Sequence, residues 1–231
     1  MPYTHRYNYC NQYDTFISLI KKDYPYHLRE EYFNSCFKDL FNDVYEDTLK
    51  QHSRIKLSYY SLNGEGFINF AYLDHYIIIC YRVAHVLYLM KDKQELADAI
   101  YYSCRIRTGT DIYYPCVIGD YFVPIHPIGS LMDSHSTYGL GLRLYNGVHV
   151  GPYGIDAKPP SEWIHPIIGN GVTICANSVI YGETIIGNNV TISPGSIIIN
   201  EIIPDNCVVF GASPNLKAIP NKYNNLAFID N

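Results

Sequence analysis

Isoleucine returns every six residues late in the chain, at 168, 174, 180, 186 and 192. Four places after each comes a small or β-branched residue: Val172, Ser178, Thr184, Val190 and Ser196. A period of six matches neither a helix nor a single strand. Self-similarity at a short fixed period means stacked identical units, and this period predicts a parallel β-helix. Three sixes make one triangular coil, with each isoleucine pointing inward onto the one a coil below, at roughly 4.8 Å. The Gly, Asn, Pro and Ser residues between them suit the corners, where the backbone must turn. Upstream, Tyr138, Leu144 and Val150 keep the same spacing, and Val117-Ile118-Gly119-Asp120 reads as a first hexapeptide. Pro124, Ser130 and Met132 match it poorly. From 152 to 164 runs PYGIDAKPPSEWI, too long and too proline-rich for a corner, so it predicts a loop leaving the solenoid. The coils then run to about Pro214, and residues 215–231 form a tail.

Residues 1–109 carry a different period. Phe33, Phe37, Leu40, Phe41 and Val44 make one stripe of an amphipathic helix, with Arg29, Glu30, Lys38, Asp39 and Asp43 on its other face. LNGEG, 62–66, interrupts the pattern as a loop. A long apolar helix over Phe67–Met90 follows, then a shorter one through KDKQELADAIYYSCRIR, ending near Gly109 as a left-handed cap. The predicted class is α+β: an N-terminal helical domain, 1–109, then a β-helix over 110–214. The 24 tyrosines read first as packing groups that bury area and keep a wet hydroxyl.

Composition narrows the function classes. A net charge of -5 gives no nucleic-acid footprint. The seven cysteines (10, 36, 80, 104, 116, 175 and 207) have no Cys-x-x-Cys spacing, which predicts reduced thiols and a cytoplasmic protein. The N-terminus lacks the apolar core of a signal peptide. Asp74, His75, Arg82 and His85 interrupt the apolar helix, so it reads as buried in protein and not as a membrane span.

Several motifs at fixed spacing resemble the serine acetyltransferase family of left-handed β-helix acyltransferases, over roughly Tyr81 to Lys217. They are YRVAH (81–85), Thr110-Asp111-Ile112, His126 fifteen residues after Asp111, NGVHVGP (146–152), HPIIGNGVTICANS (165–178) and VFGASPNLK (209–217). The resemblance implies the left-handed coil, acetyl-CoA as co-substrate without a metal, active sites between subunits, and a homotrimer or a dimer of trimers. It also implies His126 as catalytic base, Asp111 as its carboxylate and His165 as the histidine that contacts the acceptor hydroxyl. The chemistry agrees. A hydroxyl is a poor nucleophile until its proton leaves, and imidazole titrates near the working pH. Asp111, one coil earlier, is expected to stack beneath His126 and fix its tautomer. Backbone N–H groups from Gly147 to Gly151 are candidate oxyanion donors. His135, two after Asp133, and His149 are the rival histidines.

Departures from the family bear on the acceptor. Family members have an Asp directly before the first histidine and an Arg directly before the second, and these recognise serine's charged groups. Ile125 and Ile164 stand there in this chain, and Tyr59 stands near the place of a further substrate Asp from the helical half. An apolar residue cannot pair with a zwitterion. The expected acceptor is therefore a neutral hydroxyl, on a sugar or surface-polysaccharide unit, with L-serine as the alternative. Trp163 and Tyr153 offer flat faces for a sugar ring. By the same resemblance coenzyme A is expected to pass Gly151, Ala176 and Pro194; its phosphates need local positive charge, for which Lys217 and Lys222 are the candidates. Two other readings compete: a zinc site built from His126, His135, His149 and His165 for carbon dioxide hydration, and a non-catalytic trimerisation module.

Overall fold

The computed structural model describes residues 12–91, 93–154 and 159–229. Cys10 and the rest of 1–11, Asp92, loop residues 155–158 and the last two residues lie outside these bounds.

Among the described residues four α-helices come first: Gln12–Asp23 (α1), Ser35–Ser53 (α2), Leu73–Leu89 (α3) and Gln94–Thr108 (α4). Asn34 caps α2, its side chain accepting the Phe37 N–H at 3.0 Å. The apolar stripe of α2 faces inward through Phe37 and Phe41, both 1% exposed. The apolar helix is buried in protein, but it begins at Leu73; Phe67 to Tyr72 is not helical. Gly109 ends α4 at φ 64 with its N–H on Arg105 O. LNGEG is not an open loop. Ser61–Leu62 (β1) and Glu65–Gly66 (β2) pair antiparallel across Asn63 and Gly64, both at positive φ.

The remainder is a parallel β-helix of five coils. The first is Asp111–Ile112 (β3), Val117–Ile118 (β4) and Val123–Pro124 (β5); the second is Leu131–Met132 (β6), Thr137–Tyr138 (β7) and Arg143–Leu144 (β8). The third is His149–Gly151 (β9), Ile167–Ile168 (β10) and Thr173–Ile174 (β11). The fourth is Val179–Tyr181 (β12), Ile185–Ile186 (β13) and Thr191–Ile192 (β14); the fifth is Ile197–Ile199 (β15), Ile202–Ile203 (β16) and Cys207–Phe210 (β17). Equivalent strands stack in register into three sheets, the first face carrying β3, β6, β9, β12 and β15. The five repeated isoleucines are at most 2% exposed. The small residues four places on are buried too, and Ser178, Thr184 and Ser196 satisfy their hydroxyls on carbonyls three residues back.

Pro124 proves to be in register. It pairs with Leu144 and is buried as the inward residue of β5. What breaks the period is the corner after it, where 125–130 separate β5 from β6 while 145–148 suffice a coil later. The loop does leave the solenoid, between β9 and β10, with a 3-10 turn at Pro160–Glu162.

The helical half is seated on the first coil by the YRVAH motif. The Tyr81 hydroxyl donates to Cys116 O and accepts the Ile118 N–H, both at 2.8 Å. Arg82 donates to the carbonyls of Ile118 and Gly119, and His85 Nδ1 to Tyr114 O at 2.6 Å. The tail is more than a solvated end. Lys217–Pro220 (β18) pairs antiparallel with β17, and the chain then runs back along the third face. Leu226 covers Gly171, Phe228 lies 4.0 Å from the Arg143 guanidinium, and Phe228 O accepts the Lys56 N–H at 2.7 Å.

Candidate active site

His126 sits on the corner between the third and first faces, exposed, at φ 48. The six-residue corner produces this bulge, and Thr110 secures it by donating to Pro127 O at 2.9 Å. Higher on the same edge are Gly147, then Ala176, then Pro194. Gly147 takes φ 64, and a side chain there would run into Asn177. The Gly195 N–H bonds Ala176 O at 2.9 Å, so the backbone of this edge is a continuous ladder. Ala176 is half-buried and Pro194 exposed. The amides expected to act as oxyanion donors are partly committed: Gly147 N–H to Ile128 O, Val148 N–H to Ser130 Oγ and His149 N–H to Ser178 O.

Asp111 does not support His126 as expected. Its carboxylate accepts the Tyr101 hydroxyl and lies 3.2 Å from Arg105 Nε, and no hydrogen bond to His126 is present among the described residues. The reason is direction. Asp111 opens the first-face strand and turns toward α4, while the long corner carries His126 the other way, toward the start of α3. There a carboxylate missed in the sequence meets it. Asp74, in the first turn of α3, lies close enough to His126 for the two charges to interact. Burial pushes the Asp74 carboxyl up, and the His126 charge pulls it part of the way back. The sequence shows Asp74 only as a charge interrupting an apolar helix, 52 residues from His126, and no spacing ties it to that histidine. Asp111 also lines a cleft of about 370 Å³ with Tyr102, Arg105, Ile106, Gly109 and Thr110.

His165 lies elsewhere, on the edge between the first and second faces where the loop returns. Its Nδ1 is 3.3 Å from Asp133 Oδ2, and its ring is 5.3 Å from that of His135. His126 and His165 thus occupy opposite edges of the first face within one chain. His149 is on that face itself, opposite Leu131 and Val179. Burial lowers the His165 pKa and the nearby His135 adds to this, while Asp133 opposes it. Gly151 adjoins Asp133, Tyr153 is exposed beside Gly182, and Trp163 is half-buried. Ile164 is 47% exposed and Ile125 packs partly against the core. Tyr59 is exposed, edge-on to Tyr72. Lys217, opposite Phe210 in β18, and Lys222 are exposed. Among the described residues no three His, Cys, Asp or Glu side chains are placed to hold a metal ion. None of the described helices is long and apolar enough to cross a membrane.

Comparison with known proteins matches the fold. Residues 165–200 fit the family model "Bacterial transferase hexapeptide (six repeats)". No curated protein sequence matches the chain. The serine acetyltransferase of Brucella abortus strain S19 aligns at 20% identity over 90% of this chain and 83% of its own, with TM-score 0.69. The same enzyme in complex with coenzyme A aligns at 20% identity over 89% and 80%, TM-score 0.67. Neisseria gonorrhoeae serine acetyltransferase in complex with serine aligns at 22% identity over 88% and 81%, TM-score 0.65. The chain therefore carries the hexapeptide repeat of bacterial transferases on a serine acetyltransferase fold.

Proposed function

We propose that this chain is an acetyl-CoA-dependent O-acetyltransferase, organised as a helical domain (1–109), a β-helix domain (110–214) and a tail (215–231). The observation that carries the reading is the match of nearly the whole chain to serine acetyltransferases, one of them solved with coenzyme A. The geometry supports it. An exposed histidine, His126, shares one edge with Ala176 and Pro194, which would line the path of the pantetheine arm, with Gly151 across the first face and Lys217 and Lys222 toward the nucleotide. In the mechanism His126 takes the acceptor's hydroxyl proton as the oxygen attacks the thioester carbonyl, and the coenzyme A thiolate leaves. Asp74 is the carboxylate placed to steady the imidazolium. Asp111, salt-bridged to Arg105, shapes the cleft beside it. His165 would reach the acceptor from a neighbouring copy, because it sits on the far edge of its own chain. Exposed apolar residues along the second face, Val117, Ile167, Ile185 and Ile202, favour such self-association into a trimer.

We infer a neutral acceptor, a sugar or polysaccharide hydroxyl, with Tyr153 and Trp163 as ring-facing residues. Ile125 and Ile164 support this, since neither can meet a zwitterion's charges. One observation favours L-serine instead: Asp74 places a carboxylate from the helical half beside His126, where an amino group would find a partner. Thiol release from acetyl-CoA, measured across L-serine and a saccharide panel, decides between them. Turnover of saccharides with little serine activity is expected; strong serine turnover overturns the neutral-acceptor reading. The His126→Ala variant should lose about 10²- to 10⁴-fold in turnover with either acceptor. A smaller loss would place the base elsewhere.

A further inference from the structure

We propose that Asp133 is a positioning residue for His165, holding the imidazole with its proton on Nδ1 so that Nε2 faces the acceptor. The proposal rests on the reading of His165 as an acceptor-side residue, but its central test does not.

Strand register puts the pair together. Met132 pairs with Val150, so Asp133 lies beneath Gly151, which in turn pairs with Tyr181 one coil higher. Gly151 leaves a notch in that column. A Cβ added there would lie 3.3 Å from Asp133 Cβ and 3.8 Å from the Tyr181 ring. The loop departs at this notch, and its return carries His165 onto the Asp133 carboxylate. Residues 32 apart in sequence thereby become neighbours on adjacent coils.

Burial then dictates the protonation state. Asp133 Oδ2 and His165 Nδ1 are both shielded from solvent, and among the described residues neither has another hydrogen-bond partner. Their 3.3 Å separation is an ion-pair distance, although the alignment is poorer than in a good hydrogen bond. At this distance a proton on Nδ1 satisfies two otherwise orphaned buried atoms at once, and a proton on Nε2 satisfies neither. With Nδ1 occupied, the lone pair of the neutral ring is on Nε2. The other groups facing this pair do not replace it. Cys116 and Tyr138, which feel the Asp133 charge, are kept neutral by burial. His135, at φ 68 on the same corner, is a second imidazole and disfavours a charge on His165.

The test uses nitrogen-15 NMR of the full-length protein, following the His165 ring through a pH titration. In the wild type the Nδ1–H tautomer is expected. Asp133→Asn keeps an acceptor oxygen but removes the charge, so the tautomer should persist while the His165 pKa falls. Asp133→Leu removes both, and the Nε2–H form should gain at the expense of Nδ1–H. In acetyl transfer, Asp133→Leu should lower kcat at least about tenfold with less change in KM. Added to His165→Ala it should cost nothing more. A tautomer unchanged in Asp133→Leu, or a His165 pKa unmoved in Asp133→Asn, overturns the proposal. If the NMR responses appear but the wild type transfers no acetyl group to any acceptor, the positioning role stands and the proposed function fails.

Discussion

At the scale of single residues, the helical half hides two histidines whose environment makes them sensitive to acid. His52 and His75 are 2% and 1% exposed, their rings are 5.0 Å apart, and neither Nε2 has a hydrogen-bond partner among the described residues. Burial lowers their pKa values from 6.5 to about 4 and about 3 respectively. Below 6.5 the unfolded chain takes up these protons and the folded chain does not. Stability is therefore complete above 6.5 and is lost as pH falls toward the folded values. The loss reaches up to about 1.4 kcal/mol per pH unit for each histidine. Asp74 works the other way, since its raised pKa lets the folded state bind a proton more readily in acid. Urea midpoints at pH 7.5 and pH 5.0 should differ clearly in the wild type and less in His75→Asn, which can retain an acceptor for the Asn69 N–H. Equal midpoints in the wild type would show that the two rings are not held neutral.

At the scale of elements, the coil explains why one residue type has two values in one repeat. Ile180 points inward from β12 and is 0% exposed, stacked between Val150 and Ile198. Ile202 points outward from β16 and is 76% exposed. Ile180→Ala should cost about 2–5 kcal/mol, because the ladders on both sides hold the cavity open. Ile202→Ala should stay within about 0.5 kcal/mol in the isolated chain. Similar losses in denaturant midpoint for both would contradict the assigned directions. The corners have their own order: Asn188 Oδ1 accepts the Asn170 N–H at 2.9 Å, and Asp205 Oδ1 accepts the Asn188 N–H at 2.7 Å. Side-chain acceptors thus satisfy corner amides that fall outside the strand ladder. The inward period was legible in the sequence because burial repeats with the coil. In sequence the 61–66 hairpin looks like a loop, although Asn63-Gly64 is the pair such a turn prefers, because its strands are only two residues each.

At the scale of the whole molecule, the two halves are joined twice. The YRVAH helix donates into the first coil, and the tail runs from the last coil back to the segment after α2, where Ile55 bridges Ile229. Arg82→Ala removes charge-assisted bonds worth about 1.5–3 kcal/mol each. It should lower the melting temperature and let the helical half unfold before the solenoid. A single unshifted transition would mean that the tail alone couples them. The motif was visible as a family feature, but its structural task, seating α3 on the first coil, became clear only with the coil in place.

The sequence by itself determined that the chain from Ile168 to about Pro214 forms coils, which isoleucines face inward, that the part before the solenoid is helical, and that one loop leaves the solenoid. These depend on periods, and a period is a local record of which side is buried. Tertiary structure alone decided which partner each carboxylate meets: His126 for Asp74, His165 for Asp133, and Arg105 for Asp111. Residues far apart in the chain meet there only because strand register and corner length fix where each coil turns, and a two-residue change in one corner redirects the side chains that follow.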